Sequence, residues 1–401
     1  MVNGKCVCYT RFMDKIDEIL TRGVANIIPG KELLEKELKS GKKLNIYLGI
    51  DPTFTELHLG NGVVLRKIQQ FADAGHNVTF LIGDYTCLIG DTSDKDSLRP
   101  ALSVEQIQEN FKSYKKQAEK ILDFSKVKVR YNSEWLGKLN YEEIIKLTRH
   151  FTLGDFISRE LIKKRLQDGK PINLSEVLYP VAQGYDSYSM DTDVQVGGTD
   201  QTFNIQAGRT LQKNLRNKES FALTTPIMEG TDGRKMSKSY GNAIWLDDPA
   251  NDMYAKVMAI NDDLIMIYYE LATKVPMQEI KQLENEFKSG KNPMEFKKAL
   301  AFEIVKELHS EEDAEQAAEN FEKTVQKHEQ PTQIPELKFK ENQKIEDLLT
   351  EEGIVPSKSE VKRLGEQGGL TIDDKKIKSD DTVKEGILRI GKTRHFKLIS
   401  S

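Results

Sequence analysis

The stretch LNIYLGIDPTFTELHLGNGVVLRKI (residues 44–68) decides the fold, because an apolar run passes through a short turn directly into a helical pattern. Residues 44–50 are apolar enough to predict a buried strand, and Val63, Val64 and Ile68 recur at the spacing of one helix face. A helix that begins after a buried strand offers free backbone N–H groups and a positive dipole end, which suit a phosphate. On this segment alone, nucleotide binding and a plain strand–turn–helix, with His58 bonded to its own turn, stay equally open.

The same alternation continues along the chain. Further strands are predicted at 78–82, 127–131, 193–196 and 221–225, with helical patterns between them. Strands separated by helices indicate parallel βαβ units and an open sheet that is covered on both faces. The predicted fold class is therefore α/β, with a Rossmann-like, doubly wound parallel sheet that binds ligands beyond the carboxyl ends of its strands. After about residue 247 the pattern becomes helical, and the last sixty or so residues predict a small α+β unit.

Composition excludes several classes of protein. Hydrophobic residues make up 38% and charged residues 30% of the 401 residues, as in globular proteins rather than disordered chains. The net charge of −4 excludes a protein that coats nucleic acid over its whole surface, so any RNA contact needs a local basic patch. The apolar runs are far shorter than the roughly 20 residues of a bilayer helix. Three cysteines without paired spacing predict a reduced, cytoplasmic chain that holds no metal of its own.

A lysine-rich loop follows the last predicted strand. The segment KMSKS (235–239) comes after the flexible stretch 230–233 and carries two lysines separated by small residues. Two such cations can reach one polyphosphate and stabilise the charge that builds on a departing pyrophosphate. A chance match to this signature is on the order of one in ten thousand for a chain of this length, which argues against a merely solvated loop.

HLGN (58–61) after the first strand, together with KMSKS after the last, is similar to the signature pair of the class I aminoacyl-tRNA synthetases. Within that class the chain resembles the bacterial-type tyrosyl-tRNA synthetases from about Met13 to its C-terminus. Asn61 stands where the commonest class signature has a second histidine. The resemblance is carried by five blocks, YLGIDPT (47–53), HLGN (58–61), LIGD (88–91), LYPVAQGYD (178–186) and VQVGGTDQ (194–201).

The resemblance implies a ligase that activates L-tyrosine with ATP and transfers it to the 3′-terminal ribose of tRNA(Tyr). Tyr47 and Asp186 are implied to bond the substrate phenol, while Asp91, Tyr179 and Gln183 are implied to hold its α-ammonium group. Positions 179, 183 and 186 share one helix face. Taken singly, each of three residues also has a structural explanation that stays open: Tyr47 as a core aromatic, Asp186 as a surface charge and Asp91 as a helix cap. Two further residues are implied to face the tyrosine and the adenylate, namely Gln195 and Gln201.

The nucleotide side is implied in the same way, with Mg²⁺ carried by ATP through its phosphate oxygens. A paired-glycine turn with Asp200 as N-cap is the structural alternative for Gly198 and Asp200. Lys95 and Arg99 are more readily explained as a solvated loop than as phosphate contacts. The residues implied to bind ATP or to take part in catalysis are Gly49, Asp51, His58, Gly60, Asn61, Gly198, Asp200, Lys235, Ser237 and Lys238.

The tail resembles a small αL-type RNA-binding domain, which implies contact with tRNA and not with DNA or a membrane. Its basic residues alone would also fit a solvated surface. The family resemblance further implies a homodimer. The implied RNA-binding residues are Lys358, Lys362, Arg363, Arg389, Lys392 and Arg394. The predicted parts are a disordered extension (1–12), a catalytic domain (13–228) with a dimerisation insertion near 135–180, the lysine loop with a helical tRNA-side domain (229–329), a linker (330–342) and the αL-type domain (343–401).

Two alternatives remain. A tryptophanyl-type synthetase would lack the pair formed by Tyr47 and Asp186 as well as the RNA-binding tail. A catalytically inactive relative that binds RNA should have lost His58 or one of the lysines, and this chain retains all three. The sequence does not decide whether the chain starts at Met1 or Met13.

Overall fold

A computed structural model of the chain describes residues 15–53, 55–90, 103–326, 335–355, 357–391 and 394–400. They form two compact units. The first contains the described residues up to Asp247 together with Asp263–Glu286, and the second contains Asp248–Asp262 and the described residues from Phe287 onward. The extension predicted over 1–12 lies outside the described residues, and the predicted domain boundaries stay predictions.

The first unit is built on a six-stranded sheet. Its strands are β1 (Asn26–Ile28), β2 (Asn45–Ile50), β3 (Asn77–Ile82), β4 (Val127–Tyr131), β5 (Val194–Gly198) and β6 (Phe221–Thr225). They lie in the order β1-β6-β5-β2-β3-β4, and β2 to β6 run parallel. The predicted parallel α/β fold is confirmed. Strand β1, an antiparallel edge strand of three residues, was not predicted, because so short a run shows no alternation.

The helices, with 3₁₀ and π turns omitted, are α1 (15–21), α2 (Lys31–Lys39), α3 (Leu59–Asp73), α4 (Val104–Ala118), α5 (Ser133–Leu136), α6 (Tyr141–Thr148), α7 (Leu153–Ile157), α8 (Glu160–Gln167), α9 (Leu174–Ser189), α10 (Thr202–Arg216), α11 (Ala250–Met258), α12 (Ile265–Ala272), α13 (Met277–Lys288), α14 (Pro293–Leu308), α15 (Glu311–Phe321), α16 (Ile345–Glu351) and α17 (Lys358–Glu366). Among these described helices, none combines the length and the apolar character needed to cross a bilayer.

The sheet changes direction beside its central strand. The chain passes from β2 outward to β3 and β4, then returns to the other side of β2 with β5 and β6. Where two neighbouring connections leave in opposite directions, the carboxyl ends of the strands open a crevice. Tyr47 on β2 pairs in register with Gln195 on β5 at this point. The topology therefore places the ends of β2 and β5 at a ligand-binding position.

The second unit ends in a five-stranded sheet with its own core. The strands are β7 (Glu336–Phe339), β8 (Leu370–Ile372), β9 (Lys375–Lys376), β10 (Gly386–Ile390) and β11 (Arg394–Ser400), in the order β7-β11-β10-β8-β9. Leu349, Val361 and Leu388 are buried between this sheet and the helices α16 and α17. Strand β7 lies inside the stretch predicted as a linker, which two prolines had suggested.

Candidate active site

The helix α3 begins at the HLGN motif. His58 is its N-cap, where its Nδ1 accepts from the backbone N–H of Asn61 at 3.3 Å and its own N–H donates to Asn61 Oδ1 at 3.0 Å. A Cβ on Gly60 would stand 3.0 Å from the His58 ring, so glycine keeps this turn open. Burial, with Lys235 as a second cause, lowers the pKa of His58 to about 4. His58 is therefore a neutral polar group at physiological pH.

The bond of His58 to its own turn, one of the two explanations that the sequence left open, is observed, and the residue also lines a cleft, while nucleotide binding stays a prediction. The cleft has a volume of about 320 Å³ and lies at the carboxyl ends of β2 and β5. The polar or glycine residues from the predicted set that line it are Asp51, His58, Gly60, Asn61, Tyr179, Gly198, Asp200, Gln201, Lys235, Ser237 and Lys238. Three distant stretches of sequence thus meet in one place.

The two lysines of KMSKS are bound to acidic side chains of the same cleft. Lys235 Nζ lies 3.2 Å from Asp200 Oδ2, and Lys238 Nζ lies 2.9 Å from Glu56 Oε2. The lysine side chains are 39% and 50% exposed, so each ion pair is worth little and is easily exchanged for another anion. Glu56 was not expected from the sequence, which offers no pattern that marks it.

The segment that follows the lysine loop is attached to the HLGN motif. The N–H of Leu59 donates to the carbonyl of Ile244 at 2.9 Å, and the N–H of Leu246 donates to the carbonyl of Leu57 at 2.8 Å. Between these bonds, the ring of Trp245 lies 5.9 Å from the ring of His58, centroid to centroid. The two signature motifs are therefore physically joined, and Trp245 is a further lining residue that the sequence did not mark.

The residues implied to read a phenol lie together in the protein interior. Tyr47 is 1% exposed and its hydroxyl donates to the carbonyl of Gln183 at 3.4 Å. Burial, with the nearby Asp186 as the second cause, holds the pKa of Tyr47 well above its usual range, and a hydrogen bond with Gln195 opposes the rise. Tyr47 thus faces both Asp186 and Gln195.

Asp186 is held by two donors that sequence reasoning missed. Its Oδ1 accepts from Trp135 Nε1 at 2.7 Å and its Oδ2 accepts from Asn132 Nδ2 at 3.2 Å. Burial raises the pKa of Asp186 to about 8 in spite of these donors. Because both donors follow the carboxyl end of β4, the rule that parallel strands end at one edge could have indicated them.

Tyr179 lines the cleft and lies on α9, the helix that also carries Asp186. Its hydroxyl donates to Asp51 Oδ2 at 2.9 Å, and Thr86 Oγ1 donates to Asp51 Oδ1 at 2.8 Å. Glycine at position 83 is required there, since a Cβ would come within 1.9 Å of Asp51 Oδ1. Asp91, the third residue implied to bind the α-ammonium group with Tyr179 and Gln183, lies outside the described residues, as do Lys95 and Arg99.

Five of the implied binding residues are described but do not line the cleft, namely Tyr47, Gly49, Gln183, Asp186 and Gln195. Apart from Gly49, these residues form a largely buried cluster around Asp186, which is named the interior pocket. Gly49 is exposed on β2. The structure therefore divides the implied residues between the cleft and this cluster around Asp186, and α9 contributes residues to both.

Several basic residues of the tail have local partners. Lys358 is paired with Asp347, and Arg363 lies 2.5 Å from Glu360. Arg394 Nη1 donates to the carbonyl of Ile354 at 2.8 Å. Lys362 is exposed and Arg389 is half-buried on β10, whereas Lys392 lies outside the described residues.

Comparison with known proteins agrees with this geometry. The family model of class I tRNA synthetases (W and Y) matches residues 39–326. The chain is 43% identical to a tyrosine–tRNA ligase of Thermotoga maritima, over 95% of this chain and 96% of that protein. It is 42% identical to a tyrosine–tRNA ligase of Haemophilus influenzae, over 94% of this chain and 95% of that protein.

Solved structures show the same fold at low sequence identity. A tyrosyl-tRNA synthetase of Archaeoglobus fulgidus, solved with L-tyrosine, is 23% identical with a TM-score of 0.60 and covers 77% of this chain and 99% of its own. A C-terminally truncated mitochondrial tyrosyl-tRNA synthetase of Coccidioides posadasii, also 23% identical, has a TM-score of 0.62 over 80% of this chain and 98% of its own. With the joined HLGN and KMSKS motifs and the full-length relatives, the chain belongs to the class I aminoacyl-tRNA synthetases and, within them, to the bacterial-type tyrosyl-tRNA synthetases, the tyrosine–tRNA ligases.

Proposed function

We propose that the cleft and the interior pocket activate L-tyrosine with ATP, giving tyrosyl-adenylate and pyrophosphate, before tyrosine passes to tRNA(Tyr). One observation carries the proposal: His58 and Asn61 of one motif and Lys235 and Lys238 of the other line a single cleft. A catalytically inactive, RNA-binding relative has no need of both motifs in one site.

The phenol of tyrosine is proposed to enter the interior pocket. Tyr47 would donate to the substrate hydroxyl and Asp186 would accept from it, while Trp135 and Asn132 keep the Asp186 carboxyl group in place. A pocket that pairs a hydroxyl rejects an analogue without one, because the polar groups of the pocket would be left unpaired. Closer to the cleft, the α-ammonium group is proposed to meet Asp91, Tyr179 and Gln183, with Gln195 and Gln201 beside the rest of the substrate.

ATP is proposed to lie along the cleft. The start of α3, with Gly60 leaving space and His58 and Asn61 as neutral partners, would receive the phosphates. Asp200, beside Gly198, would accept from the ribose, and Gly49 and Asp51 would lie near the α-phosphate. Lys235 and Lys238 would exchange Asp200 and Glu56 for phosphate oxygens, with Ser237 between them.

The chemistry of activation requires no general base. An oxygen of the tyrosine carboxylate attacks the α-phosphorus in line, and the bond to pyrophosphate breaks with its electron pair leaving on the pyrophosphate. Positioning and the lysine charges supply the catalysis. Mg²⁺, which we propose arrives on the phosphate oxygens of ATP, would neutralise further negative charge.

In the second step, a ribose hydroxyl at the 3′ end of tRNA attacks the carbonyl carbon of the adenylate, the bond from that carbon to the phosphate oxygen breaks, and AMP leaves with release of the hydroxyl proton. The tail is proposed to hold the tRNA through Lys358, Lys362, Arg363, Arg389, Lys392 and Arg394, whose charges would replace counterions of the RNA backbone. A cytoplasmic location belongs to the same proposal, since the tRNA substrate is used there.

A homodimer is proposed from an apolar face between α6 and α9. Six large apolar side chains of this stretch are exposed, from 41% for Ile157 to 79% for Tyr141. Exposed large apolar side chains concentrated in one stretch of the chain support an interface with a partner, and a second copy of the chain is the partner proposed. The other four are Ile145, Leu153, Leu166 and Leu174.

The decisive experiment is ATP–pyrophosphate exchange with each of the twenty amino acids. We expect exchange with tyrosine and none above background with phenylalanine or tryptophan. Exchange with tryptophan alone would show that tryptophan and not tyrosine is the substrate. Exchange with no amino acid would indicate a catalytically inactive relative.

A further inference from the structure

Asn242 lies just beyond the lysine loop, and sequence reasoning did not single it out. Its side chain is buried, with 2% of the residue exposed. It follows Gly241, whose φ of 66° closes the short turn Lys238–Tyr240. It precedes residues 243–246, the segment that is bonded to the entrance of α3. Asn242 therefore occupies the junction between the lysine loop and a segment fixed to the HLGN motif.

The carboxamide of Asn242 bonds to the loop through both of its polar atoms. Its Oδ1 accepts from the backbone N–H of Ser237 at 2.9 Å. Its Nδ2 donates toward Asp232 Oδ1 at 2.6 Å and toward the carbonyl oxygens of Lys235 at 3.1 Å and Arg234 at 3.2 Å. A buried amide with its donors and acceptor occupied holds its neighbours in one geometry. Those neighbours include the backbone of two KMSKS residues.

The other side of the loop packs against the same residue. The N–H of Thr231 donates to the carbonyl of Asn242 at 3.1 Å. A Cβ on Gly230 would come within 2.4 Å of that carbonyl oxygen and 2.5 Å of the Asn242 side-chain Cγ. Asp232 also accepts from Arg234, from its backbone N–H at 3.0 Å and its Nε at 2.8 Å. Both arms of the loop thus converge on Asn242.

We propose that Asn242 is a positioning residue that fixes the backbone of the lysine loop relative to the HLGN motif, and so sets where Lys235 and Lys238 meet ATP. The inference rests on the proposed function of the cleft. The lysine side chains are long and partly exposed, so their own ion pairs do not define a position. The loop backbone that carries the two lysines defines where they lie. A displacement of about 1 Å in a charge-stabilising group can cost on the order of 100-fold in rate.

Asn242→Asp is the sharpest test, because it exchanges the donor NH₂ for an oxygen at nearly constant size. The N–H of Ser237 keeps its acceptor, whereas a negative oxygen now faces Asp232 and the carbonyls of Arg234 and Lys235. Asn292→Asp is the matched control. Asn292 is the N-cap of α14 and accepts from the N–H of Met294 at 3.0 Å, a role that aspartate fills equally well.

We expect Asn242→Asp to lower kcat/KM for ATP in the exchange reaction on the order of 100-fold. Tyrosine binding measured without ATP stays at the wild-type value, because the phenol pocket does not involve this loop. Trypsin cleavage after Arg234, Lys235 or Lys238 in the absence of substrates becomes about tenfold faster or more, since the loop opens more often when its hydrogen bonds are lost. Asn292→Asp leaves all three measurements unchanged.

A second variant tests the pairing directly and replaces the first if that one is poorly folded. Asn242→Asp combined with Asp232→Asn returns an N–H donor to the contact, and we expect it to recover about tenfold of the lost kcat/KM. Wild-type ATP kinetics and wild-type cleavage in Asn242→Asp would overturn the inference. Weaker tyrosine binding together with a lower thermal midpoint in Asn242→Asp would also overturn the inference, because Asn242 would then support folding in general. If the unaltered protein shows no tyrosine-dependent exchange, the proposed function fails instead, and the cleavage comparison still decides the role of Asn242.

Discussion

Tyr47 and Asp186 show what single residues contribute, since each is almost fully buried and faces the other. Tyr47→Phe removes one hydroxyl and changes little else. We expect kcat/KM for tyrosine to fall about 3- to 10-fold, as for one lost hydrogen bond, while exchange with phenylalanine rises. Competition between the two amino acids in the exchange assay measures the change.

A matched control exists in the second unit. The Tyr254 hydroxyl donates to the carbonyl of Lys298 at 3.3 Å, so Tyr254→Phe removes a similar bond between two residues that were not implied to bind substrate. It should leave the selectivity unaltered. Selectivity that is unchanged in Tyr47→Phe as well would mean that the phenol is bound elsewhere.

His58 predicts a pH dependence of stability. Its pKa of about 4 in the folded protein lies below the usual 6.5, so the unfolded chain binds a proton between these values and the folded protein does not. The contribution of neutral His58 is complete above pH 6.5 and is lost as the pH falls toward 4. Relative to His58→Gln, the thermal midpoint of the unaltered protein should decline over this range. Parallel midpoints in the two proteins down to pH 4 would contradict the assignment.

At the scale of elements, the apolar face between α6 and α9 gives the next prediction. Leu174 at the start of α9 is 77% exposed. Leu174→Asp should raise the dissociation constant of the proposed homodimer about 100-fold or more, because an unpaired carboxylate buried in an interface costs about 3–5 kcal/mol. Sedimentation equilibrium measures the constant. Leu33→Asp on α2, where Leu33 is 51% exposed, is the control and should leave the association unchanged. Similar effects of both substitutions would place the interface elsewhere.

The strands and helices also show which structural features can be predicted from the sequence and which cannot. Strands β2 and β3 were predictable because buried parallel strands are nearly continuous apolar runs, whereas β4, β5 and β6 were predicted from shorter or mixed runs between helical patterns. The face of α9 was predictable from spacing, but the partner of Tyr179 was not, since Asp51 lies 128 positions away in sequence. The same reason explains why the roles of Glu56, Trp135 and Trp245 were not predicted. Their neighbours come from other elements, and periodicity within one element carries no information about them.

At the scale of the whole molecule, the next prediction concerns the tail and the tRNA that it is proposed to bind. Lys362 is exposed and Arg389 is half-buried. Lys362→Glu with Arg389→Glu should leave exchange unchanged but weaken tRNA binding about tenfold or more and lower the salt slope by about two, one for each lost phosphate contact. Aminoacylation at several salt concentrations measures both effects. Lys31→Glu with Lys43→Glu, which changes the net charge equally, is the control. An unaltered slope would remove these residues from the RNA surface.

The charge pattern of the tail marks a limit of prediction at this scale. Spacing alone could place Lys358 and Arg363 on one helix, but not show that Asp347 and Glu360 lie beside them. Net charge along a helix is visible in the sequence, whereas the neutralisation of that charge by a neighbouring element depends on the fold.

The chain contains two tryptophans, and the structure places them in different parts of the candidate site. Trp135 donates to Asp186 in the interior pocket, and Trp245 lies against His58 in the cleft. Indole fluorescence should therefore respond to the amino acid through one residue and to the nucleotide through the other. With Trp245→Phe or Trp135→Phe, stopped-flow emission would time the arrival of each substrate separately, without any attached dye.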